Sequence, residues 1–95
     1  MKKIKIIKID RTSFACPAQW DMWDSKDNYY YVRFRWGELT INKHEVFGEL
    51  VFSNQTDSDW NGFMEEEELI EMVSEVFYFS KCVYYEYGKQ IEIEP

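Results

Sequence analysis

The chain predicts an α+β fold, mostly antiparallel β-sheet with one amphipathic helix packed on it. Three observations point there. Aromatic and β-branched runs alternate with polar residues over most of the chain, short turn clusters separate these runs, and near Leu69 the apolar period lengthens from two to between three and four. With 95 residues the chain is a single domain, 1–95, with room for one core that any functional site must share.

Taken in order, residues 3 to 9, KIKIIKI, alternate Lys and Ile as a strand does, and the doublet Ile6-Ile7 marks a bulge or a strand covered on both sides. Pro17 keeps Cys16 extended. The segment QWDMWD, the turn residues DSKDN and the run YYYVRFRW then read as a hairpin. In its second strand Tyr30, Val32, Phe34 and Trp36 share the core face, while Tyr29, Tyr31, Arg33 and Arg35 share the other. Gly37-Glu38 is a tight turn into LTI, and EVFGELVF gives a further strand with Gly48 at a bulge or close backbone contact. Leu69, Met72, Val73, Val76 and Phe77 fall on one helical face, with Glu66, Glu67, Glu71, Ser74 and Glu75 off it. Beyond CVYYEY, a turn at Gly88-Lys89 leads to a closing strand carrying Ile91 and Ile93.

Composition limits the function. Hydrophobic residues make up 45% and aromatics 19%, well above what a disordered chain carries. Eighteen acidic against eleven basic residues, a formal charge of -7, disfavour nucleic acid as a ligand, because binding a phosphate backbone needs positive charge to displace counterions. A cation or a basic protein surface suits the chain better. Cys16 and Cys82 form no C-x-x-C and His44 is the single histidine, so neither a zinc cluster nor a Cys/His nucleophilic site has support, and two buried thiols are expected. The Lys-interrupted N-terminus lacks a signal-type apolar stretch, and no run spans a membrane. The expected location is cytoplasmic.

The stretch DSDWNGFMEEEE, residues 57 to 68, is the one place where residue type and spacing point to a metal. It has Asp at its first position, Asp and Asn at the third and fifth, Gly at the sixth and Glu at the twelfth, and in this it resembles the calcium loop of the EF-hand. The resemblance implies calcium as cofactor, with side-chain oxygens from Asp57, Asp59 and Asn61, the backbone carbonyl of Phe63, Glu65 directly or through water, and a bidentate Glu68. Met64 stands where that family places an aliphatic residue packed into the core. The segment entering the loop reads as a strand where the family has a helix, and there is one loop where calcium sensors pair two, so the ion's implied job is structural. Against this stands a metal-free explanation: a solvated turn in which an Asp or Asn caps the helix and the run of four glutamates interacts with the positive end of its dipole.

Other constellations are weaker. Tyr29, Tyr31, Arg33 and Arg35 form a basic-aromatic stripe suited to a partner, or to stacking on single-stranded nucleic acid if exposed; the alternative is a half-exposed sheet face whose arginines pair with cross-strand carboxylates. Trp20 and Trp36 are core candidates, while Trp60 lies in the acidic loop and is a candidate anchor for a partner. No nucleophile-base-orienter set appears, so an enzyme is not expected. Residues 14 to 42, with Cys-Pro, a Trp and an aromatic-x-Arg-aromatic-Arg strand ending in Gly, are similar to small uncharacterised proteins of phages and their hosts, which implies an accessory protein without attaching an activity. Two functions follow: a small acidic binding domain with a calcium-stabilised loop, or a phage-type protein that binds and inhibits a basic or nucleic-acid-handling host protein without metal.

Overall fold

Turn chemistry cuts the chain into strands joined mostly by short connections. The computed structural model describes residues 3–14, 17–35, 37–55 and 64–92. Within them lie β1 (Ile4–Ser13), β2 (Ala18–Asp24), β3 (Tyr29–Arg35), β4 (Glu38–Lys43), β5 (Glu49–Gln55), α1 (Glu66–Met72), β6 (Phe77–Glu86) and β7 (Lys89–Ile91). The strands form one sheet in the order β5-β4-β3-β2-β1-β6-β7. β1 to β5 run as an antiparallel meander, whereas β6 enters beside β1 in parallel, Ile4 opposite Phe77 and Ile9 opposite Tyr84.

This corrects the expected α+β fold with a packed amphipathic helix. The protein is a mixed seven-stranded sheet with 63% of the described residues in strands and 9% in one short helix, too little to cover the sheet. The apolar spacing that suggested a longer helix runs across a junction. Leu69 and Met72 are helical, Val73 is the C-cap, Val76 lies in the turn beyond, and Phe77 opens β6. The Val73 carbonyl accepts from both Val76 (3.0 Å) and Phe77 (2.9 Å), which turns the chain out of the helix. No basic residue in the last turn offsets the negative end of the dipole, and valine and phenylalanine then favour the extended state. The helix buries only Glu66 and Leu69. The parallel pair is likewise a consequence of the crossover, since the chain leaves the far edge at β5 and returns beside β1.

Alternation places the core on one face. Ala18, Trp20 and Met22 of β2, Tyr30, Val32 and Phe34 of β3, and Leu39 and Ile41 of β4 are buried together with Ile6, Ile9, Met64, Leu69, Val73 and Phe77. Tyr30 meets Phe77 edge-on at 5.4 Å between ring centres. The Ile6-Ile7 doublet is a bulge: the register with β2 shifts between Ile6 and Lys8, leaving Ile7 exposed and returning Ile9 and Arg11 to the core side. Gly48 makes the close backbone approach its sequence suggested, because a Cβ there would collide with the Lys43 carbonyl oxygen. Cys82 is free and half-buried, and burial pushes its thiol up to about 12.

Candidate functional site

Sequence spacing gave no reason to single out Arg11, yet it organises the start of α1. After the bulge, alternation aims it inward, and it is fully buried. Its Nε donates to the Glu66 carboxylate at 2.6 Å, a second nitrogen donates to the Met64 carbonyl, and a third reaches the Phe14 carbonyl at 3.4 Å. The Phe14 and Trp20 rings each lie 4.7 Å from the guanidinium carbon. Glu66, only 9% exposed, also accepts from the Trp20 indole N–H at 3.2 Å. The pair thus joins the helix start to β1 and β2, and each member has its charge compensated.

Of the six residues read as calcium ligands, Asp57, Asp59, Asn61 and Phe63 lie outside the described residues, as do Trp60, Trp36 and Cys16. Glu65 and Glu68 are described and face each other. Glu65 is the N-cap, and Glu68 Oε1 accepts from the Glu65 backbone N–H at 3.2 Å, one arm of a capping box. The four consecutive glutamates therefore do different things: Glu65 caps, Glu66 pairs with Arg11, and Glu67 and Glu68 lie exposed in the first turn, where the dipole favours them. Oxygens of Glu65, Glu66 and Glu67 approach within 4.8 Å of one another, but this trio is not the set the loop pattern uses, and its central member already belongs to Arg11. Met64 is buried in the core at 2% exposure, and the helix begins at Glu66, so that Glu68 stands in its first turn.

The side chains of the predicted stripe do come together. Tyr29, Tyr31 and Arg33 lie half-buried on the sheet face opposite the core, with Arg35 exposed beside them. Cross-strand register extends this face through Trp23, Asp21 and Gln19 of β2 and Lys8 and Asp10 of β1 to Tyr85 of β6. No described helix or strand packs on it, since α1 sits over Arg11 and Trp20 on the other side. Trp23 and Tyr29 pack at 5.6 Å, and the Lys8 ammonium lies 4.7 Å from the Trp23 ring centre and 4.9 Å from that of Tyr85. Tyr31 accepts from the Gln19 amide at 2.8 Å.

Two charged details on this face matter. Asp10 stands directly opposite Asp21 across the strands. Burial, and to a smaller degree the Asp10 charge, raise the Asp21 carboxyl above its ordinary range, while the Tyr29 hydroxyl donating to it at 2.5 Å works the other way. Nearby, Arg33, Arg35, Glu38, Thr40 and Gln55 line a cavity of about 220 Å³, and the buried Arg33 Nε has no hydrogen-bond partner among the described residues. The expected pairing of the stripe's arginines with carboxylates thus leaves this donor unmet.

Asp24 was also missed, although the turn residues DSKDN around it were legible. Its Oδ1 accepts the Lys26 and Asn28 backbone N–H groups at 2.9 Å, and its Oδ2 accepts the Asn28 amide at 3.0 Å and the Tyr30 hydroxyl at 2.8 Å. Burial alone would push this carboxyl up, but the four donors outweigh it and hold the group below its ordinary value. His44 is exposed in the β4–β5 turn with a left-handed backbone, φ 78°.

Compared with known protein families, curated proteins and solved structures, the chain matches none. Among the described residues no helix is long and apolar enough to cross a membrane.

Proposed function

We propose that this protein is a small, acidic, non-enzymatic binding domain whose uncovered sheet face docks on a basic protein surface. The observation that carries this reading is the facing pair Asp10 and Asp21, set among Trp23, Tyr29 and Tyr31 on a face that no described element covers. Two carboxylates are groups that receive an arginine or lysine side chain through charge-assisted hydrogen bonds, and the Lys8 ammonium over the Trp23 and Tyr85 rings shows that this face accommodates a cation on its aromatic residues, one that a partner's cation would displace. Tyr, Trp and Arg are also the residue types that dominate interface hot spots. The charge of -7 steers a basic partner towards the domain. The segment 14–42, whose sequence resembles phage and host proteins, contains β2 and β3 and with them Asp21, Trp23, Tyr29 and Tyr31 of this face, which suits an accessory protein acting by attachment. Titrating the protein with an oligo-arginine peptide while following backbone amide shifts tests the reading. Shifts at Asp10, Asp21, Tyr29 and Tyr31 that disappear in Asp10→Asn/Asp21→Asn are expected. Shifts confined to the exposed glutamates of α1 would mean attraction by charge alone and would end it.

A second reading concerns the loop, and the burial of Met64 with the helix start at Glu66 favours it. Residues 57 to 68 hold a structural calcium ion through Asp57, Asp59, Asn61, the Phe63 carbonyl, Glu65 and Glu68. Their carboxylates repel one another without it, so binding stabilises the fold in proportion to free calcium. Chelator-stripped protein is expected to melt higher on adding calcium, with Glu68→Gln abolishing the rise. Equal melting with and without millimolar calcium removes this reading and leaves the capping box as the whole role of Glu65 and Glu68.

A further inference from the structure

On the uncovered face, the far end of β3 carries an arginine whose charge the fold does not answer. Alternation along β3 and β4 turns Arg33, Arg35, Glu38 and Thr40 away from the buried Val32, Phe34, Leu39 and Ile41. The cross-strand register then sets them side by side on one face, Arg33 opposite Thr40, Arg35 opposite Glu38, and Glu38 opposite Gln55 of β5. These five residues line the cavity of about 220 Å³. Arg33 is half-buried, its Nε is closed off from solvent without a hydrogen-bond partner, and among the described residues its side chain enters no ion pair. On its other side stands Gln19, but the Gln19 amide donates to the Tyr31 hydroxyl.

A guanidinium keeps its proton at any ordinary pH, so Arg33 cannot shed its charge as a buried lysine can. A donor withheld from both water and protein costs free energy until an acceptor reaches it. The planar fork matches a carboxylate, which takes Nε and one Nη together. No hydrogen bond ties the side chain down among the described residues, so a small rotation presents that edge to the cavity, where Thr40 adds a hydroxyl from across the strands. Two arginines against one glutamate leave the lining at a formal +1 in a chain of charge -7, so this part of the face favours an anion. The volume lies below the range for small-molecule sites and suits a single side chain. Along β3, Arg33 is two residues from Tyr31, the cross-strand partner of Asp21, which puts the cavity about 7 Å along the strand from the row of Asp10 and Asp21.

We infer that this cavity receives an aspartate or glutamate side chain of the docked partner, which thus presents a basic group to Asp10 and Asp21 and a carboxylate to Arg33. This rests on the docking face proposed above and adds its polarity. Two amidated arginine-rich peptides, alike except for one central glutamate in the first and glutamine in the second, provide the test at fixed ionic strength. The glutamate peptide should move the Arg33 Nε–H resonance and the Arg33 and Thr40 amides, and bind about tenfold more tightly than its twin. Attraction by charge alone gives the reverse order, because the glutamine peptide is the more positive. Arg33→Lys, which keeps the charge and loses the fork, should abolish the preference while the response at Asp21 and the melting temperature stay unchanged. Equal or tighter binding of the glutamine peptide, or a preference that survives Arg33→Lys, would overturn the inference. The Nε–H resonance is read in the unsubstituted protein, so the test does not depend on the variant folding. If neither peptide moves Asp10 or Asp21, the docking reading fails on its own. The cavity is then read with a short arginine-free peptide carrying the same glutamate: movement of the Arg33 Nε–H supports the carboxylate site, and silence there ends it as well.

Discussion

Replacing Glu66 by alanine is the sharpest test of how α1 is held. The substitution removes the 2.6 Å partner of a fully buried arginine and the acceptor of the Trp20 indole. Stranding a buried charge costs about 3–5 kcal/mol, and an indole left without its acceptor adds on the order of 1 kcal/mol. A domain of this size has roughly 5–14 kcal/mol in all, so the variant should sit near the limit of folding. Urea unfolding gives the number: with a slope of about 1–3 kcal/mol/M, a loss of 4 kcal/mol lowers the midpoint by roughly 1.3–4 M. The melting temperature should fall by about 16–32 °C at the usual 4–8 °C per kcal/mol. Arg11→Met/Glu66→Met removes both charges at once and should recover the part of the loss that comes from the stranded charge, because apolar replacement of a buried pair is commonly neutral, while about 1 kcal/mol each remains for the Met64 carbonyl left without its donor and the Trp20 indole left without its acceptor. A loss below about 1 kcal/mol in the single variant would show that water screens the pair. The account of Arg11 as the anchor of the helix would then be wrong.

Two further predictions concern titrating groups. Asp24 has a folded pKa below its unfolded value, so its contribution is present above about pH 4 and is lost as pH falls through the folded value. Asp24→Asn should cost about 2–4 kcal/mol at pH 7, because donors on one oxygen lose their acceptor, and should flatten the acid limb of a stability profile; a steep, unchanged limb contradicts this. Asp21 has the opposite sign: its raised pKa makes ionised Asp21 destabilising, so Asp10→Asn should raise stability at neutral pH and lower the Asp21 pKa when that carboxyl is followed by NMR. In a Cys16→Ser background Cys82, pushed up to about 12, should react with a disulfide reagent at pH 8 roughly a hundredfold more slowly than an ordinary thiol of pKa near 8.5, the scarcer thiolate being partly offset by its greater nucleophilicity. Reaction at the rate of a free thiol would place it in water.

The meander was legible because its signals are local. Period-two alternation assigned the two faces of β3 correctly, the Ile6-Ile7 doublet announced the bulge, and the turn residues DSKDN closed the β2–β3 hairpin where Asp24 and Asn28 now bind each other. Helix length was misread for an equally local reason: Val76 and Phe77 keep the three- and four-residue spacing of Leu69 and Val73 although the chain has already turned into β6. Strand order was out of reach, because nothing in the residues of β6 says that it will pair with β1 across the crossover. The candidate site divides the same way. The stripe of Tyr29, Tyr31, Arg33 and Arg35 followed from alternation within one strand, whereas Arg11 finds Glu66 across 55 positions, a separation for which a single sequence holds no periodic signal.

What separates candidate chemistry from folding in this chain is whether a polar group is already satisfied. Asp24 has four donors, Glu66 has an arginine and an indole, and Glu68 is turned back on its own cap; removing any of them should be felt first as lost stability. The Arg33 Nε has no such partner among the described residues, and Asp10, which accepts from the Gly88 backbone N–H at 3.2 Å, faces the Asp21 carboxylate across the strands. The fold itself meets these groups only in part. Removing these groups should therefore leave the melting temperature nearly unchanged or, as for Asp10→Asn, raise it, while altering what the protein binds, the reverse of the pattern at Arg11, Asp24 and Glu66. If charge removal at Asp10 and Asp21 instead destabilised the domain as Glu66→Ala does, these groups would belong to the architecture, and the surface proposed for the partner would lose its basis.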